Sequence, residues 1–386
     1  LRIGIPRESK EGERRVGLEP SAVDTLARDG HEVRVAAAAG LGIGATDADY
    51  ASAGASIVDP ADAWNAELVI KVKEIQHGEW NALARGSTLC CFQHFVGEPL
   101  LAREVAARGV TAIAYEMVRG ADGGFPLLAP MSVIAGRLAI QVGAQLLTLP
   151  SGGNGTLLAG CPGAQPARVL VLGGGHAGIN AAEVAAALGA RVVLLTRSAA
   201  TRDRVAARFA IVEERARGNF EEQARGNFIE TGVATPEAVE RHALAADLVV
   251  GAVFVPGEPT PKLLPRALVA RMKPGSVIVD ISIDAGGVAE TSRPTTHADP
   301  TYVEEGVVHY CVPNMPSAVA RAGAAALSAA VLPYARALAG KGIARAIRED
   351  AGLRAGVLLW HGRFTHEGIA TAAGRPFAPL TGEDLA

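Results

Sequence analysis

The chain has little cysteine, no dominant charge and no long apolar run, and each lack removes a class of function. Its four cysteines, Cys90, Cys91, Cys161 and Cys311, form no CxxC pair and have no His or Cys partners at zinc-ligand separation, so neither a structural metal nor a disulfide framework is expected. Three of them lie in apolar, strand-like surroundings and read as small buried hydrophobes. The 37 Lys and Arg residues against 40 Asp and Glu leave a formal charge of −3, with the basic residues scattered, which argues against a nucleic-acid or anionic-membrane partner. The longest weakly polar stretch, 322–333, is Ala-rich, is interrupted by Ser328 and falls short of the ~20 apolar residues a membrane span needs. No basic, apolar leader precedes the first strand-like run at 2–5, and the simplest expectation is a cytoplasmic enzyme. With 386 residues, 49% hydrophobic and 20% charged, the chain can build two globular domains.

What is present is more specific. The run Arg168-Val-Leu-Val-Leu-Gly-Gly-Gly-His-Ala-Gly178 leads through an Ala-rich stretch to Gly189 and a second apolar run at 192–195, which reads as strand, glycine turn, helix, strand. Gly173, Gly175 and Gly178 occupy the GxGxxG positions. Gly173 permits the tight turn, Gly175 lets a pyrophosphate approach bare backbone, and Gly178 lets the helix pack against the strand. His176 and Ala177 open the helix, whose N-terminus faces the phosphates with unpaired N–H groups and its positive dipole end. A plain tight turn between strand and helix is the alternative.

An acidic residue about 20 residues past the glycines ordinarily accepts the ribose hydroxyls of NAD. Here the second strand ends Thr196-Arg197-Ser198. A carboxylate repels a 2′-phosphate, whereas a guanidinium binds it and hydroxyls donate to it. NADP(H) is therefore favoured over NAD(H); the alternative is that Arg197 is a solvated surface charge.

In the first part of the chain, strand-like runs at 2–5, 32–36, 68–72, 88–92 and 110–114 alternate with helical patterns such as 20–28 and 99–107, which argues for an α/β domain with a largely parallel sheet. A long helix begins near Met131, with Ile134, Leu138, Val142 and Leu146 four apart, and ends before Pro150 and a glycine-rich loop at 151–155. Further strands are expected at 169–172, 192–195, 248–250, 277–281 and 307–312, followed by an Ala-rich helix over 317–339. A tandem near-repeat, 215–222 followed by 223–230, is too short for a solenoid and reads as a loop or helix-end insertion without a catalytic role.

Polar residues cluster where strands end: Lys71, Lys73 and Glu74 after the third run, His94 after the fourth, Asp284 after 277–281. The carboxyl ends of parallel strands form the ligand crevice, so these residues can converge on one site. Taken singly, the lysines also read as solvated edge charges, His94 as a hydrogen-bonded loop residue and Asp284 as a turn residue before Gly286 and Gly287.

Nearly the whole chain resembles the alanine dehydrogenase family, which is related to the soluble part of transhydrogenase. The resemblance rests on Gly4-Ile-Pro-Arg-Glu-Ser-Lys-Glu-Gly-Glu-Arg-Arg15-Val, Lys71-Val-Lys73-Glu74, Pro130-Met-Ser132, Ala135-Gly-Arg137, Gln141-Val-Gly-Ala-Gln145, Ile283-Asp284-Ala-Gly-Gly287, His309-Tyr310 and Asn314-Met-Pro316. It implies an α/β protein of two Rossmann-like domains with a cleft between them. The catalytic domain would be discontinuous, 1–126 with a helical return at 315–386, around a dinucleotide-binding domain at 127–314. Arg15 and Lys73 would bind the substrate carboxylate, His94 would act as general acid and base, and Asp284 would orient the attacking water or ammonia. Ser132 and Asn314 would hold the cofactor near its nicotinamide end, and the subunits would form a homohexamer. The implied activity is reversible deamination of L-alanine, a small amino acid, to its keto acid.

Three positions depart from the family pattern. Thr196 replaces the ribose-binding aspartate, Phe92 stands where a tyrosine is usual, and Ala318-Val-Ala-Arg-Ala-Gly-Ala replaces a hydroxyl-rich segment. The second removes a hydroxyl from the edge of the substrate pocket, and the third, by losing several donors, could admit a larger or less polar substrate; the alternative enzyme is an NADPH-dependent imine reductase or opine-type synthase. A non-catalytic nucleotide-binding module is the reading from another class.

Overall fold

The computed structural model describes residues 1–95, 97–217, 229–255 and 259–386; side chains of 211–217 are not described. The chain divides into two compact units, residues 1–131 with 317–386, and residues 132–316. The boundaries fall at 131/132 and 316/317, where the sequence reading placed them at 126/127 and 314/315.

The first unit carries β1 (Arg2–Ile5), β2 (Glu32–Ala36), β3 (Ser56–Val58), β4 (Leu68–Ile70), β5 (Thr88–Cys91) and β6 (Thr111–Ala114). The second carries β7 (Arg168–Leu172), β8 (Arg191–Thr196), β9 (Ile229–Val233), β10 (Leu248–Gly251), β11 (Val277–Asp280), β12 (Thr301–Glu304) and β13 (Val307–Tyr310), and the returning chain adds β14 (Val357–Trp360) and β15 (Arg363–Phe364) to the first. Among the described residues the first sheet runs β15-β14-β6-β5-β4-β1-β2-β3, parallel from β6 to β3, with β14 and β15 antiparallel at one edge. The second runs β12-β13-β11-β10-β7-β8-β9, parallel except for β12. Each unit thus repeats the doubly wound order 3-2-1-4-5-6, and the α/β reading with two largely parallel sheets holds. In such sheets ligands gather beyond the carboxyl ends of the strands where the order reverses. That point lies between β1 and β4 in the first unit and between β7 and β10 in the second.

Central strands are apolar throughout because both faces are covered: Leu68, Val69 and Ile70 are at most 1% exposed. Helices Pro20–Arg28 and Pro99–Ala107 form as the sequence indicates, each opening on a proline whose missing N–H costs the first turn nothing. Strands β4, β5, β11 and β13 stop one or two residues before the apolar runs do. The Lys71 N–H still reaches Cys90 O at 3.0 Å and the Phe92 N–H reaches Val72 O at 3.0 Å, so the ladder frays rather than breaks.

The stretch 322–333 lies within a longer helical segment, Met315–Lys341, that passes for a membrane span by length and composition alone. Ala-rich sequence extends the helix beyond the most apolar window because alanine has the highest helix propensity. Half of its apolar window is buried, and Ala324, Leu327, Val331, Ala335 and Leu338 pack inward, with the backbone N–H of Glu19 donating to Ser328 Oγ at 3.0 Å. It is a core helix of the first unit.

The tandem near-repeat falls mostly outside the described residues. Only 215–217, at the end of helix Ala199–Arg217, and 229–230, opening β9, lie within them.

Candidate functional site

In the first unit, the segments leaving β1, β4, β5 and β6 bring a dense set of charges together. The Lys73 ammonium donates to His94 Nε2 at 3.4 Å. Glu74 forms an ion pair with Lys10, and its Oε2 is buried without a hydrogen-bond partner. His94 takes a left-handed backbone, φ +50°, which is uncommon for any residue with a Cβ and clusters at functional sites.

The His94 residue presents surface to solvent, yet its ring lies in dense surroundings beside Phe92, whose ring centroid is 6.3 Å away. Burial first, and Lys73 second, push the imidazole pKa down from 6.5 to about 4, with Glu74 opposing. Lys73 at 3.4 Å fixes that direction whatever water reaches the ring's edge. The side chain is therefore a neutral base at neutral pH. Burial alone would raise the Glu74 carboxyl, but Lys10, Lys73 and His94 outweigh it and hold the pKa below 4.5.

Arg15 is 2% exposed, and its fork is not open. Glu13 takes Nε at 2.7 Å and Nη2 at 2.6 Å, and Nη1 lies 2.9 Å from Met131 Sδ. A bidentate carboxylate clamp on one edge of a guanidinium fixes its plane.

Lys71 and Lys73, two residues apart, have different settings. Lys71 is fully buried between Glu8 at 3.0 Å and Glu79 at 3.2 Å. Burial would lower its pKa, but the two carboxylates more than offset that and the value ends raised. Burial also lifts Glu8 above 4.5 against the pull of Lys71. The two pulls conflict, and the donors decide between them: Glu8 accepts from Lys71 Nζ and, at 2.7 Å, from the Val72 N–H, which favours the ionised carboxylate. Lys71 is thus a pin between the loops after β1 and β4.

In the second unit, the turn after β7 has the sterics its glycines imply. Gly173 sits at φ +117°, and a Cβ there would lie 2.2 Å from Ala252 O. A Cβ on Gly178 would lie 1.9 Å from Gly173 O, whereas one on Gly175 would meet no protein atom within 4 Å. The open space is therefore at the position where a pyrophosphate needs bare backbone. Helix His176–Ala187 starts there with no side-chain cap, Gly175 and His176 are exposed, and Ala177 is half-buried. The Ala129–Leu146 helix comes close beside it, since a Cβ on Gly136 would lie 2.1 Å from Ala177 O. These features fit a dinucleotide cofactor.

At the end of β8, Thr196 is buried and donates to Ser198 O at 2.9 Å, while Arg197 and Ser198 are exposed. Ser198 Oγ accepts from the Thr201 N–H at 3.3 Å, tying it to the next helix. Asp284 is exposed in the 3₁₀ turn Ile281–Ala285, whose start is organised by buried Asp280 through the N–H groups of Ser282 and Val288 and the Ser292 hydroxyl. Ser132 is half-buried on the Ala129–Leu146 helix, and Asn314, at φ +58°, is half-buried after β13.

Reading the sequence missed Glu13, Met131, Asp280 and Glu116. Strand-end position, which drew attention to Lys73 and His94, would also have marked Glu116 after β6. Among the described residues no group of three His, Cys, Asp or Glu side chains is arranged to hold a metal ion. The cysteines are free, with Cys90, Cys91 and Cys311 buried and Cys161 exposed.

Comparison with known proteins places these features. Residues 4–135 match the family described as alanine dehydrogenase/PNT, N-terminal domain, and residues 139–367 match alanine dehydrogenase/PNT, C-terminal domain. Over 376 residues, 97% of each chain, the sequence is 46% identical to an alanine dehydrogenase of Halomonas elongata. It is 43% identical over 379 residues to that of Bacillus subtilis, covering 98% of this chain and 96% of the relative. A solved L-alanine dehydrogenase superposes with a TM-score of 0.87 at 39% identity over all of both chains. A transhydrogenase of Sinorhizobium meliloti shares the fold, with a TM-score of 0.80 at 23% identity over 94% of this chain and 100% of its own.

Proposed function

Because this chain belongs to the alanine dehydrogenase/PNT family, we propose that it is an amino-acid dehydrogenase acting on an amine donor with a nicotinamide cofactor. Its reaction is the reversible conversion of L-alanine, water and oxidised cofactor to pyruvate, ammonium, reduced cofactor and a proton. The contact of Lys73 with a neutral His94 carries this reading, because a non-catalytic nucleotide module has no need of a general base beside a cation.

Arg15 and Lys73 supply the positive charge that holds the substrate carboxylate. Neutral His94 takes the proton released as water adds to the iminium carbon, and returns one in amination. The Asp284 carboxylate orients the water or ammonia and stabilises the cationic iminium. The turn at Gly173, Gly175, His176, Ala177 and Gly178 holds the pyrophosphate, and Ser132 and Asn314 hold the nicotinamide end. When bound, the nicotinamide exchanges a hydride with the substrate α-carbon.

NADP(H) is the preferred cofactor in this reading. Its support is the terminus of β8, where Thr196 is buried, Arg197 and Ser198 are exposed, and none of the three is the carboxylate that would oppose a 2′-phosphate. Arg197→Ala should weaken NADPH about 10-fold or more, the loss of one charge-assisted hydrogen bond, and leave NADH unchanged. Fluorescence titration of both cofactors checks it; equal affinities in wild type and variant would make Arg197 a surface charge.

A second reading, reduction of C=N bonds from a bulkier keto acid or amine, is favoured by Phe92, buried with its ring edge-on to Tyr115 at 5.4 Å and lacking a hydroxyl, and by the Ala-rich 318–324. Initial rates with pyruvate and ammonium, against a panel of larger keto acids and cyclic imines, separate the two. Turnover confined to the panel would defeat alanine as substrate.

Assembly as a homohexamer is consistent with exposed Leu149, Leu157 and Leu188 on the second unit. A cytoplasmic location is consistent with four free thiols.

A further inference from the structure

His94 leaves β5 in a left-handed turn, and something must hold it there. The neighbouring strand β6 supplies the group. Glu116 follows it by two residues, and its carboxylate crosses to the 93–94 backbone: Oε1 accepts the His94 N–H at 2.8 Å and the Gln93 N–H at 3.1 Å, and Oε2 accepts the Gln93 N–H at 3.2 Å. Two consecutive N–H groups thus point at one anion, the arrangement of a backbone nest, with the anion provided by the protein itself. The strands beneath are locked together as far as this point, since the Tyr115 N–H donates to Cys91 O at 3.0 Å.

We propose that Glu116 is a positioning residue for the acid–base chemistry, holding the left-handed turn that keeps the His94 imidazole within reach of Lys73. The assignment rests on His94 being the acid–base group, as set out above. Burial pushes the Glu116 pKa up, while the His94 and Gln93 N–H donors, its own N–H and Lys73 pull it back. A carboxylate in such surroundings is costly unless it is hydrogen-bonded, and the Gln93 and His94 N–H groups supply those bonds. Lys73 acts on both Glu116 and His94.

Glu116→Gln keeps the shape but replaces one acceptor oxygen by an N–H donor facing an N–H donor. Turnover should fall roughly 10- to 100-fold, the cost of misplacing a reacting group by about 1 Å. KM and cofactor affinity should stay within about twofold of wild type, because both carboxylate oxygens are engaged by the Gln93 and His94 backbone. The deciding measurement is the double variant His94→Ala with Glu116→Gln. If Glu116 acts through His94, adding the second change to His94→Ala costs less than about twofold; effects that multiply overturn the proposal. If His94→Ala lowers turnover and Glu116→Gln does not, the proposal alone falls. If His94→Ala leaves turnover intact, the acid–base reading fails first and takes the proposal with it. Should Glu116→Gln fail to fold, amide hydrogen exchange in the unaltered protein decides: slow exchange at Gln93 and His94 supports the clamp, and exchange as fast as an open loop rules it out.

Discussion

Replacing His94 by Ala lowers the turnover for oxidative deamination roughly 100-fold or more, with cofactor affinity unchanged, if the imidazole is the proton acceptor. The side chain is suited to that role because burial and the Lys73 ammonium keep it neutral, with a pKa near 4. Alanine would retain the strained left-handed backbone, so His94→Asn is the cleaner companion: asparagine tolerates that conformation and cannot titrate. Both variants should lose the same pH limb. The base must be unprotonated, so deamination is present above the pKa and is lost as pH falls through it. In kcat/KM, which reports the free enzyme, the limb should sit near pH 4. In kcat, which reports the complex, it should move up, because a substrate carboxylate beside Lys73 cancels part of the field that depresses the imidazole. Rate profiles from about pH 3 to 9 for wild type and both variants test this. An acid limb unchanged in His94→Asn would assign the proton transfer elsewhere.

The parts of this molecule legible in its sequence are those set by local sterics. Gly173 and Gly178 cannot carry a side chain because backbone oxygens lie 2.2 and 1.9 Å from where a Cβ would be, and such constraints act within one strand–turn–helix unit. The central strands were legible for the same reason that they are buried. The short edge strands β3 and β15, with two to three residues each, carry no pattern long enough to read. Lys71 and Lys73 look equivalent in sequence; which of them meets Glu8 and which meets His94 depends on loops more than 20 residues away in each case. Glu116 is legible only by its place at a strand end, because its partners are backbone N–H groups and carry no sequence signature. For the Ala-rich helix, apolar length alone does not distinguish a core helix from a span; the inward packing of Ala324, Leu327 and Val331 does.

That contrast between the two lysines yields the largest stability effect. Lys71→Met is expected to destabilise the first unit by about 3–5 kcal/mol, the range for breaking a buried ion pair from one side. Lys71 is 0% exposed and compensates Glu8 and Glu79 together; without it the buried Glu8 and the half-buried Glu79 keep, among the described residues, their N–H and hydroxyl donors. The deficit should narrow as pH falls, because protonating the orphaned carboxylates removes the uncompensated charge. Adding Glu8→Gln and Glu79→Gln to the same chain should recover part of the loss, since neutral amides cost less to bury than anions. Urea unfolding followed by Trp64 fluorescence measures it within the first unit, where that indole ring lies 5.5 Å from the Lys71 ammonium. The opposite result is equally informative: a Lys71→Met protein as stable as wild type but unable to bind substrate would exchange the roles of the two lysines. The carboxylate-binding ammonium would then be the buried one, and the Lys73–His94 contact would no longer mark the reacting centre.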